Sequence, residues 1–165
     1  MAMGLLLPAI TEGQPEFDFE QVKQKHKNAY AVYLNYAEHL NIDFVDGKIQ
    51  LLTLNESDLL FLDAQAMAMA NKSLFYTETF GNIYDIKAIT YVPDGKRFKK
   101  NTVTEINERK PVSSGSFYDD TREKYFIFKS VQPGAVASLS YTEIMTEPRF
   151  TGMFYFNNYV PKIGR

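Results

Sequence analysis

Cysteine and tryptophan are absent from this chain, and histidine occurs only twice. Without cysteine there is no disulfide, no thiolate metal site and no thiol nucleophile. The two histidines, His26 and His39, do not stand at a His-x-x-x-His spacing, and no acidic cluster brackets them, so they do not suggest a metal site. A glycine-rich phosphate loop, a Gly-x-Ser-x-Gly elbow and a Ser-His-Asp set are all missing, which argues against a self-sufficient hydrolase. Excess charge of one sign is missing too. The net charge is −2, from 18 Lys and Arg against 20 Asp and Glu, and offers no global basic field for nucleic acid. No apolar run approaches the roughly 20 residues that would span a bilayer as a helix.

What is present is length and aromatic bulk. A chain of 165 residues is long enough for one domain with a real core, and 11 Tyr and 13 Phe favour pleated strands over disorder. Residues 1–16 read as a tail, either an expression remnant or a trimmed leader junction. Leu5-Leu6-Leu7 lacks a basic flank and a clear cleavage site. Residues 17–165 read as a single domain, a fragment of a longer multidomain protein.

Asp18 is placed to cap a short helix running to about Lys27, with Phe19, Val22 and His26 at helical spacing. From Tyr30 to Phe44 the period is two. Tyr30, Val32, Leu34, Tyr36, Glu38, Leu40, Ile42 and Phe44 form one face, apolar except at Glu38. Asp46-Gly47 predicts a hairpin turn into a second strand, Lys48 to Leu54. Asp58 to Ala70 is rich in Leu, Ala, Met and Gln and predicts a helical crossover. Its Met67 and Met69, with Leu59, Leu60 and Leu62, read as a lid on the core.

Further strands are predicted at Leu74–Phe80, at Ile83–Val92 (with Tyr84, Ile86, Ala88 and Val92 on one side), at Lys96–Lys100 and at Val103–Glu108. Pro93-Asp94-Gly95 reverses the chain between the second and third of these. After a loop at Ser113 to Ser116, Tyr125–Lys129 and Ala135–Ile144 are strands joined by a Pro133-Gly134 turn. Hairpins without regular intervening helices indicate an all-β fold with minor α: an antiparallel β-sandwich with a short N-terminal helix and one helical crossover.

Candidate chemistry is thin. Glu38 on an apolar strand face is costly unless it lies at a sheet edge or meets a Lys or Arg. Glu143 beside Tyr141 poses the same question. Two such carboxylates could serve as general acid and base if they met. A hydrolase of that kind would use Glu38, Glu143, His39 or the Asp119-Asp120 pair. Asp119-Asp120 lacks the spacing of a dedicated calcium loop and reads as turn residues. His26 and His39 read as satisfied surface histidines. The basic Lys96-Arg97-Phe98-Lys99-Lys100 run reads as a lysine-protected edge strand rather than a phosphate contact. Tyr155, Phe156 and Tyr159 form a candidate interaction surface for a following domain, a glycan or a peptide. No catalytic, cofactor-binding or metal-binding residue is nominated.

The order of these pieces carries a resemblance. It runs from the long first strand with its hairpin (Ala29–Phe44) through the Pro-Asp-Gly-Lys turn (Pro93–Lys96), the Ser/Gly loop (Ser113–Ser116) and the Asp-x-x-Arg-x-x-x-Phe segment (Asp119–Phe126). Pro133-Gly134, a strand bearing Tyr141 and the aromatic run Phe150–Phe156 follow. Over Asn28 to Pro161 this resembles the bacterial domain of unknown function 3857, found N-terminal to transglutaminase-like domains. The resemblance implies a non-catalytic accessory β-sandwich of an extracytoplasmic protein, periplasmic or at the cell surface. It also implies a downstream papain-like Cys-His-Asp domain of the same polypeptide as its partner. That catalytic nucleophile cannot reside in this chain, which has no cysteine. The alternative reading is a carbohydrate- or peptide-binding module that uses exposed Tyr and Phe.

Overall fold

The computed structural model describes residues 14–111, 120–147, 149 and 160–163. Helix α1 (Phe19–Lys25) starts where Asp18 turns extended and its side chain accepts the Gln21 N–H. Strands β1 (Ala31–Val45) and β2 (Lys48–Phe61) form a long hairpin. Its turn places Asp46 and Gly47 both at positive φ, 50° and 78°, the geometry that matches strand twist. A 3-10 helix (Ala64–Ala70), capped by Asp63, leads into β3 (Asn71–Thr77). Strands β4 (Gly81–Asp94), β5 (Arg97–Thr102), β6 (Asn107–Arg109), β7 (Thr121–Ile127) and β8 (Val136–Met145) complete the described fold.

Two antiparallel sheets result. The larger has the order β1-β2-β8-β4-β5 and the smaller β3-β7-β6. Leu74, Phe126 and Phe128 of the small-sheet side pack with Leu59, Phe61, Ile83, Ala88 and Leu139 of the large sheet to form the inter-sheet core. The opposite face of the large sheet holds a second core, in which Val22 of α1 meets Val32, Leu60, Leu62, Tyr91 and Val136. The all-β sandwich with a short N-terminal helix and one helical crossover is therefore the observed architecture.

The details differ from the sequence reading in four places. Strand β2 continues through Asp58 to Phe61, so only Ala64–Ala70 is helical. Leu59 to Phe61 lie in a central strand buried on both sides, and such a run is as apolar as a buried helix. Met67 and Met69 are exposed rather than lidding the core, because the crossover turns only Ala66 and Ala70 inward. The predicted strand Val103–Glu108 shrinks to Asn107–Arg109. Val103 instead hydrogen-bonds to Ala88 from a loop and buries its side chain. Finally, β1 and β4 each carry a bulge that swaps faces. In β1 the register slips between Tyr33 and Asn35, so Val32 and Leu34 share one face while Tyr36, Glu38, Leu40, Ile42 and Phe44 share the other. In β4 the slip falls between Tyr84 and Lys87, with Asp85 at φ 53°. Tyr84 is thereby set on the face opposite Ile86 and Ala88.

The two Pro/Gly turns meet in space. Gly134, at φ +85°, sits where a Cβ would approach Pro93 Cγ to 3.2 Å. Its N–H donates to Phe61 O, and Phe61 N–H donates to Ala135 O. Replacing Gly134 with Ala combines left-handed strain with this contact and is expected to cost about 1–2 kcal/mol in urea unfolding. Thr90 is fully buried and its hydroxyl has no partner. Thr90→Val is expected to raise stability by about 1 kcal/mol in the same assay, since it removes the orphaned hydroxyl at nearly constant shape.

Candidate functional site

The β1 bulge gathers a polar cluster onto the inter-sheet face. Register aligns Glu38 with Asn55 and Asn55 with Tyr141 across β1, β2 and β8. One step further, Leu40, Thr53 and Glu143 align. The two glutamates thus lie on neighbouring rows of one face. Burial first, and then the negative charge of Glu38, push the Glu143 carboxyl above its ordinary value of 4.5. Burial likewise raises Glu38, against an opposing pull from the Lys162 ammonium. The Tyr141 phenol is held strongly neutral by burial, with Glu143, Tyr36, Glu38 and Tyr33 adding to the effect.

Tyr33 and Tyr36 stack edge to face at 5.1 Å, and Lys162 Nζ lies 3.9 Å from the Tyr36 ring centre. Lys162 arrives because residues 161–163 pair with the outer edge of β1. Tyr33 N–H donates to Pro161 O, and Ile163 N–H donates to Tyr33 O.

A cavity of about 250 Å³ opens beside this cluster. Tyr33, Ser57, Leu59, Phe128, Ala137 and Leu139 line it, with Met69, Asn71 and Lys72. Lys72 pairs in register with Phe126 and alternates with buried Leu74, so its side chain faces the inter-sheet space. Burial alone depresses its ammonium pKa.

The nominated residues fare differently. Glu38 lies on an edge strand and feels Lys162, as expected of a tolerated strand carboxylate, yet it also meets Glu143 electrostatically. His39 points to the opposite face, where its Nε2 lies 3.4 Å from Glu56, so it cannot join the carboxylates. His26 corrects the reading of a satisfied surface histidine, because its Nε2 is buried without a partner behind the end of α1. Asp120 closes the β3 end through the Glu78 and Thr79 N–H groups. Among the described residues no group of three His, Asp or Glu side chains could hold a metal. Lys96–Lys100 belongs to the β5 hairpin at the sheet edge, with Phe98 packed on Phe17 and Tyr91. Tyr155, Phe156, Tyr159 and the Ser113–Ser116 loop lie outside the described residues.

Sequence reasoning missed Tyr33, Tyr36, Lys162 and Lys72. For Lys72 the signal was its alternation with Leu74 and Tyr76, hidden by starting that strand at Leu74.

A family profile for a Domain of Unknown Function with solved structure, DUF3857, matches residues 60–163. The chain belongs to the DUF3857 family. A solved structure of a protein from Parabacteroides distasonis ATCC 8503, described as a "putative protease", is similar to this DUF3857 chain at TM-score 0.59 and 17% identity. The match covers 70% of this chain and 23% of that one, so the DUF3857 chain corresponds to a minor part of the longer protein. At that identity the likeness concerns the fold. Comparison with curated proteins returns no match.

Because Glu143 binds protons more tightly folded than unfolded, the native state is favoured as pH falls. The penalty is absent below the unfolded value near 4.5 and complete once pH exceeds the raised folded value. Glu143→Gln is therefore expected to stabilise the protein at about pH 8 and to leave it nearly unchanged at about pH 4. Urea midpoints at both pH values check this. Equal shifts at the two would show that Glu143 is not perturbed in the fold.

Proposed function

We propose that this chain is a non-catalytic accessory module that docks onto a neighbouring domain of a longer extracytoplasmic bacterial protein and positions it. The carrying observation is the outer half of the β1–β2 hairpin. Leu40, Ile42 and Phe44 on β1 are 53%, 64% and 69% exposed, and Ile49, the cross-strand neighbour of Phe44, is 46% exposed. All four project from one face, and no described β1 residue beyond Leu34 enters either core cluster. A contiguous row of large apolar side chains is costly in water and is what a docking surface presents.

The partner that fits this reading is a transglutaminase-like domain of the same polypeptide, following the company that the DUF3857 family keeps. A module matching 23% of a longer protein described as a protease is in keeping with an accessory role. The absence of cysteine in the chain supports placing the nucleophile elsewhere. No helix among the described residues is long and apolar enough to cross a membrane.

The test is the double variant Ile42→Asp, Phe44→Asp. In the isolated module its unfolding free energy should change by no more than about 0.5 kcal/mol, as expected for exposed positions. In the full-length protein the same variant should abolish interdomain contact, seen as an expanded radius of gyration in small-angle scattering. An unchanged radius would remove the hairpin face from the interface.

A further inference from the structure

We propose that the cavity beside Lys72 is a binding site for a small monocarboxylate with an apolar body, such as a short aliphatic acid or the carboxylate end of an apolar residue. Three observations converge there. The lining is dominated by Leu59, Leu139, Ala137 and Phe128, surfaces that favour a hydrocarbon occupant. One cation, Lys72, projects into this apolar space from the inward row of β3. And Lys72 has no compensating anion, since among the described residues it takes part in no ion pair or side-chain hydrogen bond.

The neighbouring inward lysine makes the contrast. Lys124, on the row beside Leu74, hydrogen-bonds to Ile83 O, lies 3.6 Å from Glu108 and sits over the Tyr76 ring. The fold therefore gives one inward lysine a carbonyl, a carboxylate and a ring as partners and leaves the other facing a cavity. A half-buried, unpaired ammonium is costly, and its lowered pKa is the same cost seen from the proton's side. A bound carboxylate supplies the missing charge. Ser57 and Asn71 add neutral polar groups to the lining for its second oxygen. Exposed Met69 and Asn71 place the opening on the crossover side.

Volume sets the size of the guest. A cavity of about 250 Å³ holds on the order of eight to ten non-hydrogen atoms, which suits a six-carbon acid and excludes a sugar chain or a folded peptide. A phosphate would fill the charge requirement and waste the apolar walls. An alcohol would do the reverse.

The experiment titrates hexanoate, 1-hexanol and hexylamine into the full chain, followed by amide chemical shifts, and repeats the series with Lys72→Met and Lys72→Arg. Wild type should bind hexanoate in preference to hexanol, with shifts centred on residues 57–59, 71–72 and 137–139. Lys72→Met should lose roughly 10- to 100-fold in hexanoate affinity, the worth of a charge-assisted hydrogen bond, and keep its hexanol affinity. Lys72→Arg should retain the preference for the acid. Lys72→Met is expected to fold at least as stably as wild type, because it removes a desolvated charge and keeps the chain length. Equal affinity for acid and alcohol in wild type, an unchanged hexanoate affinity in Lys72→Met, or shifts confined to the outer hairpin at residues 38–54 would each overturn the proposal. None of these outcomes bears on docking through Ile42 and Phe44, which is read separately.

Discussion

The closure of the Pro133-Gly134 turn on Phe61 is the constraint on which the remainder rests. Phe61 is fully buried, accepts the Gly134 N–H and donates its own N–H to Ala135 O. This fixes where β8 begins against the end of β2, and side chains alternate, so one residue of slippage would turn every β8 side chain to the wrong face. With Leu60 paired to Val136 and Leu59 to Ala137, both faces of the central strands are apolar at this point. One face receives the second sheet and the other receives α1. Neither layer could assemble on a register that exposed Leu60 or buried Ser138.

From that anchored end the two hairpin strands run outward over 15 and 14 residues, roughly 50 Å, while β3 and β7 have seven residues each, roughly 23 Å. The small sheet lies over β2, β8 and β4, where Ile83 and Phe61 both meet it, and cannot also cover the outer half of β1. The polar cluster of Glu38, Tyr141 and Glu143 sits at the boundary between the covered and uncovered parts. There both carboxylates are dehydrated enough to shift upward, and Glu38 is still close enough to the edge to feel Lys162. The same mismatch of lengths produces the exposed Leu40, Ile42 and Phe44 row. An apolar surface and a pair of perturbed acids thus follow from one geometric fact.

Much of this was legible in the residues. Asp46-Gly47, Pro93-Asp94-Gly95 and Pro133-Gly134 marked chain reversals correctly, because glycine at positive φ is a local requirement that packing rarely overrides. The cap at Asp18 was legible for the same reason. What was not legible were features decided by partners distant in sequence. The bulges after Tyr33 and at Asp85 leave no motif, yet they decide which face Glu38 and Tyr84 occupy. The apolar run Leu59–Leu62 suits a helix and a doubly buried strand equally, and only β8 on its flank selects the strand. The meeting of Glu38 with Glu143 depends on β2 lying between their strands, which no spacing within either strand encodes.

The inward lysines sharpen the relation between stability and use. An inter-sheet core that needed only stability would place Leu or Met at both positions, since replacing an interior charge by an apolar side chain of similar volume is commonly neutral or stabilising. Lys124 has a structural justification in its carbonyl, carboxylate and aromatic partners, which join β7 to β4 and β6 across the edge of the core. Lys72 has none of these among the described residues, and its cost is not recovered by any contact within the fold. Sites where local consistency fails without internal compensation are where function is expected to reside. The cavity at Lys72 meets that condition more fully than the glutamate pair, because Glu38 has Lys162 close by and lies at a solvent-facing edge. The proposed ligand cavity and the proposed docking row thus lie on one face of the large sheet, the first where the small sheet covers it and the second on the outer hairpin beyond that cover.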